Sequence, residues 1–457
     1  MAARYFFPVA AGAAAQRLAR AWLALGVAAL IISGLLAVLL VLARTPGLQD
    51  FFPRRDFFRS ALVVHVDLSV LVWFMAFAAV LWSLAGRATL LPLGWGGLGF
   101  AVAGTLLMSA SPFLPGAAPL LNNYLPVLDQ DYFLAGLALA GVGFALTVLR
   151  SLLVAWPRLA LDQAGSELQW GIYMAALTGA LALAAMVMSL AGVPDIAGTA
   201  LYELVFWGPG HALQFQHALL LLVAWWWLAG ELGAPPRCAP RRATLLFAVA
   251  AAPVLAVPII YALWPVGSSL HMSAFVWLMQ AGHTLLLPVM VLVALALPRI
   301  ASARQPAAAA LWTSVLLFAC GGVLGYLIRG VNVVIPAHYH GSIVGITLAF
   351  MGLTYLLLPR LGYAAAEGRM ARLQPYVYGG GQLLHILGLA WSGGYGVQRK
   401  VAGADQVLAS LSEKVAMGMM GLGGAIAIVG GIMFVWVCLK AMLGRRQAAG
   451  RAELGAG

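Results

Sequence analysis

Twelve times along this chain the residues stay apolar for long enough to cross about 30 Å of hydrocarbon as a helix. The stretches run roughly 18–43, 60–86, 92–113, 131–155, 168–193, 199–230, 243–265, 272–298, 308–328, 338–359, 373–394 and 416–440. A backbone in lipid has to satisfy its own hydrogen bonds, so each stretch is expected to be a helix. The expected fold is an all-α integral membrane protein, a bundle of twelve transmembrane helices forming one membrane domain over residues 1–457. Only 9% of the residues are charged and 63% are hydrophobic, which is not the composition of a soluble domain. The connections are short, and no internal repeat stands out.

A net charge of +12 would suggest a nucleic-acid partner in a soluble chain. Here the arginines lie in short loops and not in one patch, so they report topology instead. Eighteen of the 26 Lys and Arg residues fall in the termini and after even-numbered stretches, among them Arg237, Arg241, Arg242, Arg299, Arg304, Arg360, Arg369 and Arg372. Both termini are therefore expected on the cytoplasmic side. The first outer loop, with Arg44, Arg54, Arg55 and Arg59, runs against this rule, and Arg399-Lys400 form a second outer cluster. The first apolar run is too long for a signal peptide and lacks a clean cleavage site. Cys238, Cys320 and Cys438 are far apart and make no metal or disulfide pattern.

All eight histidines lie in or beside an apolar stretch: His65, His211, His217, His271, His283, His338, His340 and His385. Imidazoles that dense inside a bundle point to iron or copper ligation. His338 and His340 are two residues apart, about 200° around a helix, and so reach opposite faces. A helix between two flat cofactors could ligate an iron on each side with such a pair. Asp67 and Glu203 are carboxylates inside the stretches, and both are candidates for proton relay or for hydrogen-bonded bundle carboxyls.

Taken together, the helix-2 His65, the helix-6 Trp207-Gly208-Pro209-Gly210-His211 and the helix-10 His338-Tyr339-His340 resemble subunit I of the haem–copper oxidases. That superfamily includes oxygen-reducing cytochrome oxidases and bacterial nitric oxide reductases, and the resemblance covers essentially the whole chain. It implies two haems. A low-spin haem would be held by His65 and His340, and a high-spin haem by His338, with one side of its iron open to a gas. His211 matches a ligand of the second metal, with Trp207 beside it. Where many relatives have a helix-6 tyrosine, this chain has Phe215. Tyr261 in helix 7 sits where the cbb3-type branch carries its tyrosine instead. Arg399 and Lys400 are similar to the basic pair that salt-bridges haem propionates, and Arg329 and Asn332 lie on the same side.

The chain departs from the family at the end of helix 7. The expected His-His pair is replaced by Trp264-Pro265-Val266-Gly267-Ser268-Ser269, and the nearest imidazole is His271, followed by Met272. Copper held by imidazoles wants three nitrogens, so copper or non-haem iron at His211 and His271 is in doubt. Glu203 lies eight residues before His211, about 12 Å along a helix, which is far for a co-ligand. The functional expectation is a core subunit in a bacterial inner membrane. Electrons would come from a c-type cytochrome or cupredoxin through a small second subunit, and oxygen would be reduced. Nitric oxide reduction is the alternative, and a non-catalytic haem subunit or sensor is a second one.

Overall fold

The computed structural model describes residues 12–44, 55–301, 305–401 and 408–444. Arg54, Arg304 and the extreme ends of both termini, on which part of the topology expectation rests, lie outside these residues. Eleven helices among the described residues are long and apolar enough to cross a membrane. They are α1 (Ala13–Leu42), α2 (Phe58–Ala85), α3 (Leu91–Phe113), α4 (Asp131–Val154), α5 (Ser166–Gly192), α6 (Gly198–Glu231), α7 (Pro240–Leu263), α8 (Ser269–Arg299), α9 (Pro306–Tyr326), α10 (Val334–Arg360) and, after one further rod, α12 (Leu411–Leu443). That further rod is α11, Arg369–Gly394. It is as long as its neighbours, but Arg369, Arg372, Gln374, Gln382 and His385 together with its run of glycines leave it less apolar, so the expectation of twelve apolar spans is met by eleven.

Neighbours in sequence pack as antiparallel pairs: α3 with α4, α5 with α6, α9 with α10, α11 with α12. In lipid there is no hydrophobic force to drive such pairing, so close backbone approach at small residues has to supply it. Glycines fill that role here. A Cβ on Gly388 of α11 would come within 2.5 Å of the Met420 nitrogen of α12, and one on Gly143 of α4 within 2.6 Å of the Gly97 oxygen of α3. The helices with the most enclosed surfaces are α2, α6 and α10. These are the three that carry His65, His211 and the His338/His340 pair.

Two local departures from α-helix bear on the site. Residues Asp67–Val72 of α2 form a π-helical segment directly after His65; such bulges insert one residue into the ladder and recur at functional positions. In α7, the stretch with Pro253 and Pro258 passes through a 3-10 turn at Ala252–Leu255, because proline cannot donate to the helical ladder.

The all-α expectation misses one element. Between α3 and α4 the chain forms a small antiparallel hairpin, β1 (Ala118–Leu120) and β2 (Val127–Asp129), with Leu120 opposite Val127. Its tip is Leu121–Pro126. Inside the tip the Asn122 side-chain oxygen accepts from the Tyr124 and Leu125 backbone N–H groups at 3.1 and 2.9 Å, an Asx-type turn.

Candidate functional site

Seven of the eight histidines line one cavity of about 1930 Å³ between α1, α2, α4 to α6 and α8 to α12; His271 is the exception. The volume is about twice the upper end for an ordinary small-molecule pocket, which suits two large flat ligands better than one small one. Its wall is mostly aliphatic, with imidazoles placed singly.

Several of the imidazoles have Nδ1 on a backbone carbonyl. Nδ1 of His65 lies 3.0 Å from the Ser33 carbonyl oxygen, and Nδ1 of His338 lies 2.7 Å from the carbonyl oxygen of Gly321. A carbonyl only accepts, so Nδ1 carries the proton and Nε2 is left with its lone pair, the form in which histidine binds a metal. The same bond recurs at His283 to the Met279 carbonyl (3.0 Å) and at His385 to the Met420 carbonyl (2.9 Å). The His338 ring is seated on a small-residue face: a Cβ on Gly325 would lie 2.7 Å from its Nδ1. His340 stands edge-to-face with His385, ring centroids 4.9 Å apart. A cavity of this size with this donor set fits two haems held by His65, His340 and His338.

The second-metal side differs. Nδ1 of His211 donates to the Trp207 carbonyl at 2.6 Å, and its Nε2 is 2.8 Å from the Tyr124 hydroxyl. Trp207 lines the cavity, and its indole donates to the Met272 carbonyl at 3.3 Å. His271 is fully buried outside the cavity, and neither of its ring nitrogens has a hydrogen-bond partner among the described residues. Phe275 packs against both imidazoles, 5.1 Å from His271 and 5.3 Å from His211. Ser268 explains the position of His271. Its hydroxyl accepts from the His271 backbone N–H at 3.2 Å and caps α8, so His271 belongs to the first turn of that helix. Among the described residues no three His, Cys, Asp or Glu side chains are grouped to hold a metal ion. The residues present do not fit a three-nitrogen copper centre.

Tyr261 is not among the residues that line the cavity. Its hydroxyl is 2.6 Å from Ser189 Oγ, and its ring lies over Gly208, where a Cβ would reach ring carbon Cζ at 2.8 Å. Sequence phase cannot place it, because the prolines interrupt the helix that carries it. Phe215 does not face an open position either; its ring stacks on His283 at 4.4 Å.

At the outer rim, Arg399 and Lys400 line the cavity and hold the hairpin tip. The Arg399 guanidinium donates to the Asn123 side-chain oxygen. The Lys400 amine donates to the Leu121 and Asn122 carbonyls at 2.6 and 3.0 Å. Lys400 has a left-handed backbone, φ 63°, a conformation that costs energy for a non-glycine residue and is kept where its surroundings fix it. Burial, with Arg399 adding to it and Glu203 opposing, brings its ammonium down to about 8. Glu203 is part of the same rim: its carboxylate takes the Asn123 backbone and side-chain N–H groups at 2.8 and 2.6 Å. Arg329 and Asn332 bond within their own loop. Asp67 is fully buried with neither carboxyl oxygen hydrogen-bonded.

Tyr124 and the rim clamp were not found from the sequence. One signal was there: the connection after α3 is long for a bundle loop and rich in Pro and Asn, which marks a segment with structure of its own.

The sequence of this chain matches the model of the family "Cytochrome C and Quinol oxidase polypeptide I" over residues 17–433. The chain belongs to that family. It is 30% identical to an uncharacterized protein of Rickettsia prowazekii over 93% of this chain and 96% of the relative. It is 28% identical to an uncharacterized protein of Aquifex aeolicus over 78% and 88% respectively. Among solved structures, a heme-copper terminal oxidase dimer has the same fold, with a TM-score of 0.71 at 17% identity over 94% of this chain and 84% of that one. The protein is thus a haem–copper oxidase subunit I-like chain, a respiratory oxidase-type core subunit with multiple membrane-spanning helices.

Proposed function

We propose that this chain is the electron-transferring and gas-reducing core of a respiratory complex, with oxygen as the gas. The observation that carries the reading is the placement of His65, His338 and His340 on one cavity, with Nδ1 of His65 and of His338 tied to backbone carbonyls. His65 and His340 would hold a low-spin haem and His338 a high-spin one. Bound there, the haems supply one-electron transfer and an open iron position for a gas. The chain supplies the rest. Backbone carbonyls fix the ligand tautomers, the aliphatic wall excludes water, and Arg399 and Lys400 offer cationic partners for carboxylates at the rim. The His211 side of the cavity is where Trp207 and Tyr124 would meet the gas. The donor would be a c-type cytochrome or cupredoxin acting through a small second subunit. The setting would be a bacterial inner membrane crossed twelve times, with both termini cytoplasmic.

The His211 side, without three grouped metal ligands, favours two other readings: nitric oxide as the gas, or a haem subunit that does not turn over. Steady-state reduction of each gas by the purified complex with its electron donor separates the three. Turnover of oxygen above nitric oxide is expected. Undetectable turnover of both, with two haems bound, would make the chain a carrier or sensor. His338→Ala is expected to remove the high-spin haem and all turnover, leaving the low-spin spectrum.

A further inference from the structure

Family resemblance directs attention to a second metal at His211 and to Tyr261 as the phenol of the site. The structure puts a different phenol there. Tyr124, at the tip of the β1–β2 hairpin, reaches His211 Nε2 at 2.8 Å. Its ring stands edge-on to Trp207, centroids 5.5 Å apart, and 4.6 Å from the His211 ring. Since His211 Nδ1 donates to the Trp207 carbonyl, Nε2 holds a lone pair and the phenol is the donor. The one nitrogen His211 could offer a metal is engaged by this O–H.

The contact is built in. Gly210 gives Tyr124 its seat, since a Cβ there would come within 2.6 Å of the tyrosine Cγ. The three residues before Tyr124 are clamped, by Glu203 on Asn123, by Arg399 on Asn123 and by Lys400 on the Leu121 and Asn122 carbonyls. A group held by that many bonds needs little reorganisation when charge develops in front of it. Tyr124 and His211 line the same cavity as His338.

We propose that Tyr124 is the acid of the gas site: hydrogen-bonded to His211, it takes the place of the second metal and gives a proton to the oxygen atom of the reduced gas. This rests on the reductase reading above. The electrons come from the external donor protein by way of the haem sites. The phenol O–H turns from His211 Nε2 to the gas-derived oxygen, the proton leaves Tyr124 Oη as the new O–H bond forms there, and the phenolate regains a proton from water at the polar rim.

The test uses the purified complex with its haems, reduced and loaded with carbon monoxide. The C–O stretch of the bound gas is expected to differ between H2O and D2O, because the exchangeable phenol O–H can turn from His211 to the gas. In Tyr124→Phe that sensitivity should vanish and the stretch should move, while the low-spin spectrum and the amount of carbon monoxide bound are unchanged. Turnover should drop about 100-fold or more, the usual contribution of a positioned acid. A wild-type stretch that ignores D2O overturns the proposal, and that comparison needs no variant to fold. Normal turnover in Tyr124→Phe also overturns it and leaves the reductase reading standing. Absence of turnover in the wild-type complex defeats the reductase reading, and Tyr124 as an acid falls with it.

Discussion

Ser33 and His65 meet through three contacts: His65 Nδ1 sits 3.0 Å from the serine carbonyl oxygen and 3.0 Å from its hydroxyl, which in turn lies 3.1 Å from the His65 carbonyl. α1 thereby fixes the tautomer and ring plane of the α2 histidine. Replacing His65 by Ala should abolish the six-coordinate low-spin signal in absorption and EPR spectra while carbon monoxide still binds the other haem. Ser33→Ala removes only the hydroxyl, so the low-spin signal should persist with a small shift. A low-spin spectrum that survives His65→Ala would refute the ligand assignment.

His211 with its nitrogens taken up, and Phe275 packed against both it and His271, imply weak or no binding of a second metal. Elemental analysis of purified protein should give copper and non-haem iron well below one per two haems. One tightly held copper per two haems would mean that the hairpin tip moves aside and that this reading of the His211 side is wrong.

Lys400 makes stability depend on pH. Its amine titrates near 8 in the folded chain, below its ordinary 10.5, because burial and Arg399 disfavour the charge. Between those values the unfolded chain binds more protons, so this residue's contribution to stability rises as the pH goes from about 8 to 10.5. Below 8 it is charged in both states and its cost is fully present. The unfolding midpoint of Lys400→Gln in detergent, compared with wild type, should show a difference that changes across that window and is flat below it. A constant difference would show that Lys400 is not buried as described.

Gly388 of α11 leaves no space for a side chain, since the Met420 nitrogen would be 2.5 Å from its Cβ and the Ala416 carbonyl oxygen 2.6 Å. Both are backbone atoms and cannot rotate away. Gly388→Val should force α11 from α12, costing about 1–3 kcal/mol or more, and lower haem content along with the unfolding temperature, because α11 carries His385. Gly380, with open space around its Cβ position, should tolerate Ala in the same assay.

The fold was legible because lipid leaves the backbone so few choices: runs of apolar residues became helices close to where they were expected. The candidate haem histidines stood out for a related reason, because His-x-His reads out as two faces of one helix whatever surrounds it. What could not be read depends on contacts distant in sequence. Tyr124 meets His211 across 87 residues, through a hairpin whose strands are three residues long and carry no clear alternation. Tyr261 sits past Pro253 and Pro258, where counting helical phase fails, and only packing sends its hydroxyl to Ser189. Glu203 does lie within α6, as read from the sequence, but its carboxylate's hold on Asn123 of the hairpin could not be foreseen.

The π-helical segment Asp67–Val72 sets the phase of α2. Closing hydrogen-bonded rings one residue larger than α-helical ones, it absorbs an extra residue, worth about 100° of helical rotation. His65 before it and the buried aromatic block of Trp73, Phe74 and Phe77 after it are thus oriented independently of each other. Deleting one residue from this segment would restore an unbroken α-helical ladder, with every backbone bond satisfied, and would swing the imidazole off the cavity wall. At this point in the chain, length as well as residue identity would decide whether His65 faces the cavity.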